Sequence, residues 1–500
     1  MNSTELRAGH CVMVDIEGTA LDADTRAFLR DNAIRGVCLF RKNLGTEAQI
    51  RQLTADLRDT MGPHALIGID QEGGSVIRVT SLPQAPAAMA LGAVGDVALA
   101  RDVGAAVSRG LRSLGINWNF APVLDVNNNP ANPVIAERSF SADPDAVTRL
   151  AGAWMEGAMA EGVACCAKHF PGHGDTHTDS HHASPVVDKS LAALEQLELR
   201  PFRALAGTAP ALMTAHIVYP QLDAEHPATL SKVLVQDLLR DSMGYDGVVI
   251  TDALMMKAVY EKYGHARASV LALSAGVDMV LAQGARKEQV AALQAIEQSV
   301  ANGSLSPSRF LQARARLEQL ARRFPALANV YDPAQRAADE ACMRTAWARG
   351  MAAIGAPRTP DRASPVRVIT QNSVISDGVS EAGLPASRVQ ALFAAFTDVE
   401  FVQVPDLRSV DPAVFMQDGR CNVLVSNQRA RYTATQASLR PDLHLVLWNP
   451  FQVMDVAAPA VVTWGYGEGA LQALQAWLAG SLQATGVSPV PLTPAHTSSL

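Results

Sequence analysis

Apolar residues in this chain fall into short unbroken runs, separated by longer stretches in which they recur every three or four positions. The runs are "CVMVDIEG" (11–18), "GVCLF" (36–40), "ALIGID" (65–70), "INWNFAPVLDV" (116–126), "ACCAKHF" (164–170), "ALMTAHIVY" (211–219), "GVVITDA" (247–253) and "VDMVLA" (277–282). Helix-period segments lie between them at 22–34, 46–60, 97–113, 145–160, 191–206, 231–242 and 263–274, and two more follow near 286–301 and 306–322. Consecutive apolar positions, as opposed to alternation, suit strands covered on both faces. Eight strands, each followed by helix, predict an α/β fold of the (β/α)8 TIM-barrel type over residues 1–325.

The pattern changes after that. Residues 326–345 read as a linker, and 346–500 as a second, smaller domain. There "VRVIT" (366–370), "VEFVQV" (399–404), "NVLVS" (422–426), "LHLVLW" (443–448) and "AVVTW" (460–464) read as strands, with helical stretches near 386–396, 411–417, 429–439 and 468–483. This predicts an α/β sandwich domain built on a mostly parallel sheet. The glycines of "GYGEG" (465–469) fit neither phosphate-loop spacing, so they read as a strand-to-helix turn.

Several barrel runs end in a polar residue: Asp70, Asp125, Lys168, His169, His216 and Asp252. Strands need turn-formers where they stop, but the C-terminal strand ends of such barrels also carry the active site. So many charged strand ends favour one shared site.

Composition narrows the function. Of 500 residues 48% are hydrophobic and 18% charged, with a mild net charge of −7 and no basic run to attract nucleic acid. No apolar stretch reaches 18 residues, so no membrane span is expected, and "MNSTELRAGHCVMVDIEG" lacks the shape of a signal peptide. The six cysteines show no CxxC spacing and read as buried thiols of a reducing compartment, which predicts the cytoplasm.

The chemistry concentrates in "KHFPGHGDTHTDSHH" (168–182), where five of the twelve histidines sit in fifteen positions. His169, His173, His177 and His181 recur every four residues, the spacing of a zinc-binding helix face. Pro171, Gly172 and Gly174 forbid that helix, and the spacing loses its meaning. The stretch reads better as a long loop after the fifth strand. Within it Asp179 and His181 stand two apart, so in extended backbone the carboxylate can hold the imidazole and favour its protonated form. Asp252 ends an apolar strand: either a buried-edge carboxylate with a chemical task, or the N-cap of a helix opening at "ALMMKAV". "GIDQEGGSVIRV" (68–79) and "NPVIAERSF" (132–140) bring Asp70, Arg78 and Arg138 into otherwise apolar surroundings.

Together these stretches, with "GVCLFRKN" (36–43), "NFAPVLDV" (119–126), "MTAHIVYP" (213–220) and "GYDGVVITDALMM" (244–256), resemble glycoside hydrolase family 3, in its β-N-acetylhexosaminidase branch. "LWNPF" (447–451) and "TWGYGEGALQALQAWLAG" (463–480) resemble, more weakly, that family's C-terminal domain. The resemblance implies a retaining exo-β-N-acetylglucosaminidase acting on muropeptide or chitin-type oligosaccharides. It gives Asp252 the role of nucleophile, His181 that of acid/base and Asp179 that of its partner. It makes Asp70, Arg78, Arg138, Lys168, His169 and His216 contacts to the sugar. It implies a small carbohydrate as the binding partner, and no metal or other cofactor. The chain departs from the family pattern at Ser75, where an arginine is usual, at Ala253, where a second aspartate is frequent, and at His182, which is added. A phosphorylase or β-glucosidase of the same family, or a metal-dependent barrel hydrolase, are the alternatives.

Overall fold

A computed structural model describes residues 7–177, 184–376, 380–433 and 439–493. Eight strands close into a barrel: β1 (Val12–Asp15), β2 (Gly36–Leu39), β3 (Leu66–Ile69), β4 (Trp118–Asn119), β5 (Ala164–Phe170), β6 (Ala211–Thr214), β9 (Val248–Ala253) and β10 (Met279–Leu281). A small antiparallel pair, β7 (Val218–Tyr219) and β8 (Asp223–Pro227), branches off after β6. Every barrel pairing is parallel, and β1 closes on both β2 and β10. The strands are sealed on both faces, as their unbroken apolar runs require.

The expected strand over 116–126 is regular only at Trp118–Asn119. Pro122 has no N–H to give to a ladder, so the rest runs irregularly beside β5, held by Lys168 N–H to Pro122 O and Leu124 N–H to Lys168 O. That irregular run delivers Asp125 to the mouth of the barrel.

The second sheet comprises β11 (Ala352–Ile354), β12 (Val366–Gln371), β13 (Val399–Val404), β14 (Cys421–Ser426), β15 (Leu443–Val446) and β16 (Ala460–Val462), in the order β11-β16-β15-β14-β12-β13. All neighbours are parallel except β11, an antiparallel edge. Two expected helices fall short. Residues 411–417 hold only the 3-10 turn Pro412–Val414, and 429–433 are not helical, while 434–438 lie outside the described residues. Arg429 and Arg431 instead reach carbonyls of the barrel loops at Val134 and Pro130.

Residues 333–350 form a helix, opened by the Asp332 cap and Pro333 at its first position. It packs against barrel helices Ala88–Val94 and Val97–Ser113 and against Glu468–Leu478 of the second domain. The glycines of 465–469 have a packing role here. A Cβ on Gly465 would stand 2.7 Å from the Trp347 indole, and one on Gly469 2.3 Å from it. All six cysteines are free; Cys11, Cys38, Cys165 and Cys166 are buried, but Cys342 and Cys421 are only partly covered. Among the described residues no helix is long and apolar enough to cross a membrane.

Candidate active site

The C-terminal ends of the barrel strands open onto a cavity of about 810 Å³. Asp70, Arg78, Arg138, Lys168, His169 and Asp252 all line it, although they come from four separate stretches of sequence. The wall is completed from the second domain by Ser376, Ser380 and Glu381.

The charged groups are ordered by alternation of sign. Arg138 grips Glu72 with two bonds, Nε to Oε2 at 2.9 Å and Nη2 to Oε1 at 2.8 Å. The Lys168 ammonium lies between Glu72 Oε1 at 2.6 Å and Asp70 Oδ1 at 2.7 Å. Arg78 continues the series, with Nη2 3.9 Å from Asp70 Oδ2 and Nη1 3.0 Å from Glu381 Oε1. Burial alone would neutralise such groups; the mutual pairing prevents it. Against burial, Arg138 and Lys168 hold the Glu72 carboxyl well below its usual range, while Asp70 and Glu72 hold the Lys168 ammonium above its own. Burial likewise opposes the Arg138 charge, and Glu72 keeps it firmly ionised.

His169 is set by a carboxylate beneath it. Asp125 is fully buried; its Oδ2 lies 2.7 Å from His169 Nδ1, and its Oδ1 accepts the backbone N–H groups of His169 and His173. A carboxylate can only accept, so the His169 proton sits on Nδ1 and Nε2 is left for a ligand. Burial would raise the Asp125 carboxyl, but His169 and these N–H groups bring it below its usual range. His173, also on the cavity wall, is pushed down to about 4 by burial and by His169 beside it. It is a neutral ring near neutrality, bonded through Nδ1 to Thr176 Oγ1 at 2.9 Å.

Asp252 lies inside β9, half-buried, with Oδ1 accepting the N–H of Ala253 at 2.7 Å. The helix that follows starts at Lys257 with Met256 as its cap, so Asp252 does not cap it. His216 lies behind this strand end instead of on the described cavity wall. Its Nε2 donates to Ala253 O at 3.0 Å and its Nδ1 pairs with Thr229 Oγ1 at 2.7 Å. Asp179, His181 and the added His182 lie outside the described residues. The stems of their segment are firmly held. On one side Asn132 Nδ2 donates to His173 O, Gly174 O and Thr176 Oγ1. On the other, Lys189 Nζ contacts Asp175 Oδ2 at 2.7 Å and the buried Glu198 at 2.5 Å.

Glu72 and Glu381 on the cavity wall were not singled out from sequence, and Asp125 was named there only as a polar strand end, without its task of positioning His169. Asp125 was visible as a charged strand end and Glu72 within "DQEGG", but each is defined by partners far along the chain; Glu381 carried no local signal. Among the described residues no three His, Cys, Asp or Glu side chains are grouped to hold a metal ion.

The profile described as "Glycosyl hydrolase family 3 N terminal domain" matches residues 3–320. A β-hexosaminidase of Chromobacterium violaceum is 41% identical over 293 residues, 57% of this chain and 82% of the relative. A glycoside hydrolase family 3 β-N-acetylglucosaminidase from Paenibacillus superposes with a TM-score of 0.89 at 33% identity, covering 99% of this chain and 100% of that one. NagZ from Neisseria gonorrhoeae, solved with N-trifluoroacetyl-D-glucosamine, superposes with a TM-score of 0.51 at 32% identity over 62% of this chain and 97% of its own. The barrel, its charged mouth and these matches agree: the chain belongs to glycosyl hydrolase family 3 and is a glycoside hydrolase.

Proposed function

We propose that this chain is a retaining exo-β-N-acetylglucosaminidase, with Asp252 as nucleophile, His181 as acid/base and Asp179 as its partner. The reading is supported chiefly by the Asp252 carboxylate, which stands at a barrel strand end on the wall of a cavity shared with Asp70, Arg78, Arg138, Lys168 and His169. Charged hydrogen bonds of that number suit one sugar held by its hydroxyls, and so a terminal residue. The β-hexosaminidase and β-N-acetylglucosaminidase names of the relatives favour β-linked N-acetylglucosamine as that residue.

Cleavage proceeds through an oxocarbenium-like transition state. Asp252 attacks the anomeric carbon while protonated His181 gives its proton to the departing oxygen, leaving a glycosyl ester on Asp252. Neutral His181 then takes a proton from water, which attacks the same carbon and frees the sugar with its configuration retained. An imidazole titrating near ~6.5 holds both forms near neutrality, and Asp179 favours the charged one for the first step. His216 steadies the backbone beside the nucleophile through Ala253 O. The substrates we propose are small muropeptide or chitin-type fragments. The cytoplasm is the proposed setting, in keeping with six free thiols.

Incubation with a fluorinated N-acetylglucosaminide followed by peptide mass spectrometry tests the core of the reading. A covalent sugar on the peptide containing Asp252 is expected. A sugar on another peptide, or none from an active enzyme, overturns it.

A further inference from the structure

We infer that Glu381, supplied by the second domain, is a sugar-binding residue: with Asp70 it forms a pair of carboxylates flanking Arg78 that takes neighbouring hydroxyls of the terminal sugar. The inference rests on the proposed reading of the cavity as a sugar site and adds to it a residue from outside the barrel.

Both carboxylates line the cavity and keep some exposure, 21% for the Asp70 side chain and 24% for Glu381, whereas Arg78 between them is nearly sealed at 10%. The arginine therefore serves as a fixed counter-charge, and the two anions are what a ligand meets. Each has acceptor capacity left over. A carboxylate offers about four lone-pair sites. Glu381 uses one on Arg78 Nη1, and Asp70 uses one oxygen on Lys168 with Arg78 at the longer 3.9 Å from the other. A sugar hydroxyl donating to a carboxylate makes a charge-assisted hydrogen bond, stronger than one between neutral groups.

Glu381 is also held as a binding residue must be. Its N–H donates to Ser75 O at 2.8 Å, its carbonyl accepts the Tyr466 hydroxyl at 2.9 Å, and its side chain is fixed by Arg78 at 3.0 Å. The short side chain of Ser75 makes this approach possible. Ser75 is buried with its hydroxyl on Glu137 and 3.4 Å from Ser380 Oγ, so a long side chain there would drive the 380–381 backbone away.

The test compares wild type with Glu381→Ala and Glu381→Gln on a chromogenic β-N-acetylglucosaminide and on its 4-deoxy and 6-deoxy forms. On the full substrate the Ala variant should show a raised KM and a kcat/KM lower by about ten- to hundredfold, with kcat less affected. On the form lacking the hydroxyl that Glu381 holds, the penalty should largely vanish, because variant and analogue remove the same contact. An equal penalty on all three substrates, or no penalty on any, overturns the inference and leaves Glu381 as a domain contact only. The near-isosteric Gln variant carries the same comparison if the Ala variant folds poorly. If wild type cleaves none of the three, the enzymatic reading has failed instead. Calorimetric titration of N-acetylglucosamine and its two deoxy forms into wild type and Glu381→Gln then applies the same cycle to Glu381 alone, with the same two outcomes.

Discussion

Asp125 Oδ2 stands 2.7 Å from His169 Nδ1 while Asp125 Oδ1 accepts two backbone N–H groups, so one buried side chain sets both a ring proton and the course of the loop behind it. Asp125→Asn separates the two tasks. The amide oxygen can still receive the N–H groups, but its NH2 faces Nδ1 and moves the ring proton to Nε2. The expected result is a fall in kcat/KM of roughly ten- to hundredfold, the worth of a charge-assisted hydrogen bond, with the fold retained. Steady-state kinetics beside a circular dichroism melt checks it; unchanged kinetics would mean that the His169 tautomer does not matter to the reaction.

Glu72 neutralises two buried cations at once, since Arg138 and Lys168 both end on it. Glu72→Gln leaves them without a full counter-charge and should cost about 3–5 kcal/mol of stability. The sign with pH follows from its depressed carboxyl. A lowered folded value means the stabilisation is complete above the unfolded value near ~4.3 and is lost as pH falls further. Denaturant titrations at pH 7 and pH 4 should therefore show a smaller gap between wild type and variant at the lower pH.

His444 gives a second pH signature, in the other domain. It is fully buried, its Nε2 2.7 Å from Ser426 Oγ, and burial pushes it down to about 3. An unfolded histidine takes its proton near ~6.5, so between those values the unfolded chain binds more protons and stability falls as pH falls. His10 and His173, each at about 4, act in the same direction. Each contributes a slope of at most about 1.4 kcal/mol per pH unit. His444→Gln should flatten the loss of melting temperature between pH 6.5 and 4 (both values set by these shifts); an unchanged slope would place the acid sensitivity elsewhere.

The seam between the domains carries a buried polar contact beside its apolar packing. Glu137 is fully buried, and its Oε1 receives both the Ser75 hydroxyl at 2.6 Å and the Trp448 indole N–H at 2.9 Å. Trp448→Phe keeps most of the packing but removes one donor from a buried carboxylate. A loss of about 1–3 kcal/mol is expected, read from the denaturant midpoint.

The barrel was legible because its strands are short, apolar and evenly spaced by amphipathic helix. The motif residues Asp70, Arg78, Arg138, Lys168, His169 and Asp252 were legible as charges in apolar company, and they do meet at one cavity. His216 looked the same in sequence yet turns to a backbone carbonyl, because periodicity says which strand a residue ends and not which layer its ring enters. The helix at 333–350 was hidden by a weakly amphipathic, alanine-rich segment whose apolar face is divided between two domains. Glu381 lay beyond any local pattern, 303 positions from the arginine it faces.

That last separation bears on how the protein can be rebuilt. A barrel transplanted onto a different C-terminal module would inherit its strand-end groups but lose the Glu381 carboxylate from its own pocket. A chimera of this kind has to carry over Ser380, Glu381 and Tyr466 together with Ser75, because those four positions form one contact across the seam between the domains.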